Sequence, residues 1–449
     1  MMEIRTRKLF NRSFSFMSIA AIVLMSLSLV VLLGPIVFKG SAAFVFRGTV
    51  EYRELMLERF NRGSRAAVEA ERARAEAARK PVYDLMRRFE ARLDTADVDF
   101  RRQYRSEFSD LKDLVLELLG PVPGESEPVL LRQQYGQTRW DRAMVKLHDI
   151  LFVEEYDYSD ASKMGTKTLK PRVERFRRTE IEPLFGILER DARRMLEPRV
   201  TFYGRFLFDE SYDAHFFGGI WPELLGTIYL VLGAMLFAVP LGVITAIYLA
   251  EYAGESHFVS FLRTCISSLA GVPSIVFGLF GLAFFIGTIK VSQSKSVLAG
   301  ALTLAILVLP TVIRASEEAI KAVPLTYKEA SMSLGASKWR TILTVILPSA
   351  LPGVLTSVII SMGRAAGETA PIIFTAAVSV GKPLAVWQTL TQPTPALPWN
   401  IYNLATEHQA IDEIRHVQYG MVLTLVVLVL ALNLTAVIIR ARISKKLRG

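Results

Sequence analysis

Six apolar stretches in the sequence are each long enough to cross a membrane as a helix. Crossing about 30 Å of hydrocarbon takes roughly 20 helical residues, and 51% of the 449 residues are hydrophobic. A water-soluble protein would have to bury all six as core helices, which their length and number argue against. The sequence therefore predicts an all-α polytopic membrane protein with six transmembrane helices, near Phe14–Phe38, Ile220–Leu249, Phe258–Ile289, Val297–Ala315, Leu351–Ala377 and Gly420–Arg440.

The first stretch has flanks that also suit a cleaved signal peptide. Basic residues precede it, at Arg5, Arg7, Lys8 and Arg12, and the small residues Ser41-Ala42-Ala43 follow it. Its apolar part, however, is about 25 residues long, whereas the apolar region of a signal peptide spans roughly 7–15. We therefore expect an uncleaved anchor.

Basic flanks predict the orientation of the spans. Lys and Arg concentrate on the cytoplasmic side, so the basic ends of the chain predict that both termini are cytoplasmic, which six spans permit. Residues 317–350 are then cytoplasmic, and residues 39–205 lie outside, since long loops translocate largely regardless of charge. The net charge of +10 reflects these flanks and Arg-rich outer helices, and it requires no nucleic-acid partner. The expected divisions are 1–38 (N-terminus and first helix), 39–205 (insert), 206–441 (transmembrane core) and 442–449 (basic tail).

The hydrophilic segment 39–205 predicts a helical extracytoplasmic domain between the first and second spans. Residues 51–80 are rich in Ala, Glu and Arg, a helix-forming composition. Apolar side chains in residues 100–119 recur three or four positions apart, which indicates one apolar helix face; they are Phe100, Tyr104, Phe108, Leu111 and Val115. The alternative is a solvated stalk, because charge-patterned helices are often no more than that.

Residues 317–350 predict two short helices between the fourth and fifth spans. Pro324 opens the first helix, and Gly335 offers the positive φ at which helices commonly stop. A second helix is expected from Ser337 to Ile346, with Leu347-Pro348 breaking it before the fifth span. Two short helices at an angle suit insertion into a groove of a soluble partner. The alternative is an ordinary amphipathic loop.

This segment resembles the loop shared by ABC-transporter permeases, in which Glu-Ala-Ala is followed at fixed spacing by Gly and then by Ile, one residue and Leu-Pro. The matching residues here are Glu329, Ala330, Gly335, Leu347 and Pro348. Ser331 stands in place of the second Ala, and Val345 in place of the Ile. The resemblance implies that the loop docks onto a separate cytoplasmic ABC ATPase dimer, which would hold ATP and Mg²⁺.

The chain has no phosphate-binding loop of its own. The pattern G-x-x-x-x-G-K-[ST] does not occur in the sequence, because Gly381-Lys382 is followed by Pro383. We therefore expect a transport subunit that is not an enzyme and that binds no cofactor itself.

The fifth span contains Arg364 and Glu368, which lie four residues apart and therefore on one helix face. Arg at mid-membrane costs roughly 2.5–3.5 kcal/mol on insertion scales, so it normally faces a polar cavity or a partner. The planar guanidinium fork of Arg can donate two parallel hydrogen bonds to an oxyanion. Glu368 would hold that fork, offset its charge, or accept a proton from hydrogen phosphate, which would disfavour sulfate. The alternative is a structural ion pair. Gly363 and Gly367 predict close approach of a neighbouring helix.

Residues 363–376, reading GRAAGETAPIIFTA, are very similar to the fifth-span motif of phosphate ABC-transporter permeases of the PstA type. Residues 270–278, 316–324 and 397–402 also resemble that family, so the match covers about residues 215–445. The resemblance implies a type I importer core of the MetI-like kind. It also implies that Arg364 and Glu368 take part in the translocation of inorganic phosphate, and we expect the adjacent Thr369 to lie in the same pathway.

The same resemblance implies the partners: a second, homologous permease subunit and an extracytoplasmic phosphate-binding protein, in a bacterial inner membrane whose lipid bilayer surrounds the spans. The segment 39–205 departs from the compact members of the family, whose first loop is short.

Two other functions remain open. An importer of another oxyanion, such as sulfate or molybdate, would use the same core. A membrane sensor would bind a ligand with residues 39–205, but it predicts a cytoplasmic output domain, and only about nine residues follow the sixth stretch. The scattered histidines, among them His408 and His416, predict no metal site.

Overall fold

The computed structural model describes residues 4–122, 138–157, 166–254, 256–407 and 411–448. The chain forms two compact units. One, called the insert below, comprises Phe44–Gly204 and His215–Phe217, and the other, called the core, comprises Met1–Ala43, Arg205–Ala214 and Gly218–Gly449. Parts of the predicted segment 39–205, namely residues 123–137 and 158–165, lie outside the described residues, as does the last residue of the predicted tail.

The first half of the chain is mainly helical with short strands. Its elements are α1 (Ile4–Ser41), β1 (Val45–Gly48), α2 (Val50–Phe60), α3 (Arg65–Thr95), α4 (Val98–Leu119), α5 (Trp140–Leu151), β2 (Phe152–Asp157), β3 (Thr166–Pro171), α6 (Glu182–Leu196), β4 (Arg199–Phe202), β5 (Ser211–Tyr212) and β6 (Phe217–Gly218).

The second half is helical. Its elements are α7 (Trp221–Ile247), α8 (His257–Ala270), α9 (Ser274–Gly281), α10 (Val297–Lys321), α11 (Leu325–Ser333), α12 (Lys338–Thr341), α13 (Leu347–Gly367), α14 (Ala370–Thr375), α15 (Leu397–Thr406) and α16 (Ile411–Arg448). The predicted fold class, a helical protein with several membrane-spanning helices, is confirmed.

The insert has a hydrophobic core between α3, α4, α5 and α6. Phe89 of α3, Leu111 of α4 and Ile150 of α5 are completely buried in it. Burial of each such side chain contributes about 1.5–3 kcal/mol, so the insert is a packed domain and the alternative of a solvated stalk is wrong. The apolar face predicted for residues 100–119 is confirmed, since Phe108 and Val115 join Leu111 in this core.

The insert also contains antiparallel strand pairs that its helical composition did not predict. β1 pairs with β4, with Val45 opposite Phe202 and Arg47 opposite Val200, and β2 pairs with β3. The helix-forming run 51–80 is interrupted between α2 and α3, because Asn61 adopts the left-handed conformation with φ of 52°.

In the core, α7 and α10 begin at the same end. The backbone N–H of Leu397 donates to the hydroxyl of Thr227 near the start of α7, at 2.9 Å. The N–H of Val297, the first residue of α10, donates to the carbonyl of Gln392 at 3.1 Å. One stretch of chain, residues 392–397, therefore contacts the beginnings of both helices.

The two helices also finish at the same end. Ala246 of α7, Ile320 of α10 and Ile342, which follows α12, are buried in one apolar cluster. We call this end of the core the loop end, because residues 317–350 begin there. Since α7 and α10 run parallel, the chain between them must cross back.

That return crossing is made by a bent pair of helices. The described residues contain five continuous helices long and apolar enough to span a membrane, and a sixth candidate is the pair His257–Leu269 and Ser274–Thr288, bent by 99°. Pro273 stands immediately before α9, where its missing N–H and fixed φ favour the start of a helix over continuation of the preceding one. The third predicted span, Phe258–Ile289, is thus broken near its middle.

Candidate functional site

The fifth predicted span is not one helix. α13 ends at Gly367, Glu368 has an extended backbone with φ of −77° and ψ of 124°, and α14 begins at Ala370. Pro371 explains the break, because it lacks an N–H and its ring would clash with the carbonyl of Gly367 in a continuous helix. The predicted fifth span, near Leu351–Ala377, therefore consists of two helices joined at Glu368-Thr369.

The break lies at mid-depth in the core. α13 runs antiparallel to α10, and the hydroxyl oxygens of Ser357 and Ser316 lie 3.3 Å apart between them. Both helices rise about 1.5 Å per residue. Continuing this alignment along both helices places Arg364 level with Leu309, the middle residue of α10.

Arg364 and Glu368 form an ion pair across the end of α13. The Nε of Arg364 donates to Oε1 of Glu368 at 3.3 Å, and the two side chains are 36% and 20% exposed. Within the described part of the chain the Arg364 side chain makes no second hydrogen bond, so its Nη groups are available to a ligand. The half-buried Thr369 is the next residue in the break. The structure therefore brings the three predicted pathway residues together.

The glycines Gly363 and Gly367 have different surroundings. A Cβ on Gly363 would lie 3.7 Å from Val429 and 3.8 Å from Asn433 of α16, which is ordinary contact. A Cβ on Gly367 would meet no described atom within 4 Å apart from its chain neighbours and the backbone of its own helix. The structure places a neighbouring helix of this chain beside Gly363 only.

We call residues 317–350 the coupling segment. Its first helix, α11, stops as predicted at Gly335, which has φ of +83°. The N–H of Gly335 donates to the carbonyl of Met332 at 2.9 Å, and the N–H of Ala336 to that of Ser331 at 3.2 Å. These two bonds form a Schellman motif, the helix ending that a left-handed glycine permits.

The predicted break at Leu347-Pro348 is wrong. α12 continues through a π-helical turn, Ile342–Ile346, directly into α13, so that Lys338–Gly367 is one continuous span. In this wider turn the N–H of Leu347 reaches the carbonyl of Ile342, five residues back. Pro348 then lies in the first turn of α13, where its missing N–H is tolerated.

The coupling segment presents a structured, exposed surface. Glu329 and Ala330 are exposed in α11, Leu334 is 90% exposed and Trp339 is 57% exposed. The hydroxyls of Ser331 and Thr341 lie 3.0 Å apart and link α11 to the end of α12. Exposed apolar side chains on two linked helices form the kind of surface that docks into a groove of a partner.

A second charged cluster, not predicted from the sequence, lies at the loop end of α8 and α10. Arg263 and Lys321 pair with Glu317 at 3.0 and 2.7 Å, and Arg314 donates to the hydroxyl of Ser267. The charged side chains of this cluster line a cavity of about 230 Å³. One sequence feature could have pointed to this cluster: Arg314 is a charged residue inside the predicted fourth span.

Metal-binding clusters are absent from the ranges that the structure describes, since no group of three or more His, Cys, Asp or Glu side chains is placed to hold an ion. His408 lies outside the described residues.

Comparison with known proteins identifies relatives of the core. A family model for the binding-protein-dependent transport system inner membrane component matches residues 238–449. The probable ABC transporter permease protein YqgI of Bacillus subtilis is 36% identical over 51% of this chain and 80% of its own length. The phosphate transport system permease protein PstA 1 of Mycobacterium tuberculosis is 38% identical over 50% of this chain and 71% of its own length.

Among solved structures, one chain of the inward-facing methionine ABC transporter MetNI aligns with this chain at 17% identity and a TM-score of 0.39. The alignment covers 50% of this chain and 94% of the MetNI chain.

Proposed function

Because this chain belongs to the family of binding-protein-dependent transport system inner membrane components, as a permease of the PstA type, we propose that it forms half of a transmembrane pathway for inorganic phosphate. It is a multi-pass membrane transport subunit rather than an enzyme. The relatives named for phosphate transport support the choice of substrate.

One observation carries the proposal: Arg364 stands at mid-depth in the core, at a helix break, with its Nε held by Glu368. A guanidinium whose two Nη groups make no hydrogen bond to the described residues can donate parallel hydrogen bonds to one oxyanion. Glu368 keeps the fork oriented and offsets its charge when no anion is present. Thr369 adds a hydroxyl in the same break.

The proposal has a second part: the coupling segment docks to a cytoplasmic ABC ATPase dimer that holds ATP and Mg²⁺. Exposed Leu334 and Trp339 would enter a groove of that partner, and the continuous helix Lys338–Gly367 leads from this surface to the residue before Glu368. Rigid-body rocking of two permease halves would then open the pathway alternately to each side. In this arrangement both termini are cytoplasmic.

Two further partners complete the assembly. An extracytoplasmic phosphate-binding protein would deliver the anion, and a second, homologous permease would supply the facing wall. The open position at Gly367, where a Cβ would meet no described atom of another element within 4 Å, is where that second subunit would approach α13.

The experiment is uptake of labelled phosphate at low external phosphate and excess sulfate, in cells that lack this chain and carry either the wild type or a variant. We expect the wild type to restore uptake and Arg364→Gln to abolish it with normal membrane insertion. Arg440→Gln is the matched control, because it removes a guanidinium that donates to Thr356 instead. If the wild type restores sulfate or molybdate uptake but not phosphate uptake, the assigned substrate is wrong.

A further inference from the structure

An arginine-lined groove opens on the insert, apart from every residue assigned a role above. Its volume is about 590 Å³, and it is bounded by β1, α3, the end of α6 and β4. Its charged lining consists of Arg47, Arg74, Arg193, Arg194, Glu197 and Arg199. The lining therefore carries five guanidinium groups and one carboxylate.

The groove has a rigid side. Glu197, directly after α6, adopts the left-handed conformation with φ of 43° and ψ of 58°. Its carboxylate accepts two hydrogen bonds from Arg74, at 2.8 and 3.0 Å, and its carbonyl accepts one from Arg53 at 2.9 Å. The hydrogen bond from Arg74 lowers the pKa of Glu197. This carboxylate is therefore ionised and already engaged.

A second carboxylate below the groove is engaged as well. Glu71 is 6% exposed and pairs with Arg199 at 2.7 Å and with Arg53 at 2.5 Å. The two carboxylates fix the positions of Arg74 and Arg199 on the groove wall, so those two guanidinium groups are pre-organised.

The other three arginines of the lining, Arg47, Arg193 and Arg194, have few carboxylates of the insert near them to neutralise their charge. Arg47 and Arg193 have no carboxylate within ion-pair distance in the described ranges, and the nearest one to Arg194 is Asp191, at 3.6 Å. All three are exposed. Planar guanidinium groups converging on one groove are suited to a group with several anionic oxygens.

An exposed apolar strip adjoins these arginines. Val45, Val200 and Phe202 of the β1–β4 pair are 52%, 76% and 77% exposed. Directly opposite residues of an antiparallel pair share a face, so Arg47, opposite Val200, lies on the same face as this strip. Apolar side chains beside cations are typical of a surface that meets anionic lipid.

We propose that the groove binds a phosphate group through Arg47, Arg193 and Arg194, with Arg74 and Arg199 as its fixed wall. The phosphate is either free phosphate or the phosphate of an anionic lipid headgroup, since both present the same oxygens. This inference goes beyond the transport pathway and does not depend on it.

The test measures how fast phenylglyoxal modifies individual arginines of the purified full chain in phosphatidylcholine nanodiscs, by peptide mass spectrometry. One arm adds inorganic phosphate against chloride at equal ionic strength. The other replaces part of the phosphatidylcholine with phosphatidylglycerol. Arg177, which is 70% exposed and lies outside the groove, is the reference residue in both arms.

We expect modification of Arg47, Arg193 and Arg194 to slow about threefold or more in at least one arm, because bound oxygens occupy their donors, with Arg177 unchanged. The Arg193→Gln/Arg194→Gln variant should lose the protection of Arg47, whereas Arg177→Gln should keep it. Slowing with inorganic phosphate identifies a free oxyanion, and slowing with phosphatidylglycerol identifies a headgroup.

Two results would overturn the proposal. One is no slowing in either arm, and the other is equal slowing at Arg177, which reports bulk electrostatics.

Discussion

The ammonium of Lys328 in α11 contacts the carboxylate of Glu251 in the π-helical turn after α7, with the two side chains only 15% and 9% exposed. This pair joins the exposed coupling segment to a helix of the core. If a partner docks on α11 as proposed, its displacement of α11 would reach α7 through this pair and α13 through α12.

We expect Lys328→Gln to reduce both phosphate uptake and the thermal midpoint of the purified chain. Removing one partner of a buried ion pair leaves the other charge unpaired, at a cost of about 3 kcal/mol. The double variant Glu251→Gln/Lys328→Gln should recover most of the thermal midpoint but not the uptake. Equal midpoints for the single and double variants would show that the pair does not hold α11 in place.

Gly335→Ala should impair transport more than stability. The left-handed conformation costs a residue with a Cβ about 1–2 kcal/mol, and relieving that strain would turn α12 away from α11. Gly335→Asn should retain more uptake, because Asn tolerates this conformation best after Gly. Gly254→Ala, at a glycine with open space around it and no positive φ, is the control for uptake and for copurification with the ATPase.

Glu368→Gln tests the role of the carboxylate in discrimination. If Glu368 accepts the proton of hydrogen phosphate, its loss removes a charge-assisted hydrogen bond, and the preference for phosphate over sulfate should fall about tenfold or more. Competition of sulfate with labelled phosphate measures this preference directly. An unchanged preference, with uptake retained, would leave Glu368 only the structural role of orienting Arg364.

Gly226→Ala and Gly367→Ala form a contrasting pair. A Cβ at Gly226 would lie 2.0 Å from the carbonyl oxygen of Pro395, so we expect a loss of about 1–3 kcal/mol from overpacking and a lower thermal midpoint. Gly367→Ala should leave the midpoint of the isolated chain unchanged, because its Cβ would meet no described atom of another element within 4 Å.

The informative result is then the behaviour of Gly367→Ala in the assembled transporter. Loss of uptake with an unchanged midpoint would place a second subunit against α13. Normal uptake would contradict that placement.

The insert should lose stability in alkaline solution through Tyr83. Burial raises the pKa of its phenol to about 12, and the hydroxyl donates to the carbonyls at the end of α4, Leu119 and Gly120, at 3.1 and 3.2 Å. The raised pKa stabilises the folded state fully below the unfolded pKa of about 10, and this stability is lost as pH rises through about 12. The loss amounts to about 2–3 kcal/mol.

The measurement is the thermal midpoint of the full chain as a function of alkaline pH, for the wild type and for Tyr83→Phe. The variant should show a shallower decline between pH of about 10 and about 12, from a lower starting midpoint. Parallel curves for the two proteins would show that Tyr83 does not ionise on unfolding.

Features that depend on neighbours in the sequence were predictable. The apolar spans follow from local composition, the stop of α11 follows from the freedom of Gly335, and the contact of Arg364 with Glu368 follows from their spacing of four. Even these have limits. Pro348 and Pro371 are each closely followed by apolar residues, but a π-helical turn accommodates the first, whereas α13 ends before the second.

Features that depend on distant segments were decided by the tertiary structure alone. The parallel course of α7 and α10 follows from the contacts of residues 392–397, and the cluster of Arg263 with Glu317 joins two separate helices. The groove of the insert collects Arg47, Arg74 and Arg193 from three elements far apart in the chain. No periodicity encodes such encounters, because they arise from how buried faces of remote helices and strands pack together, whereas spans and turns arise from residues a few positions apart.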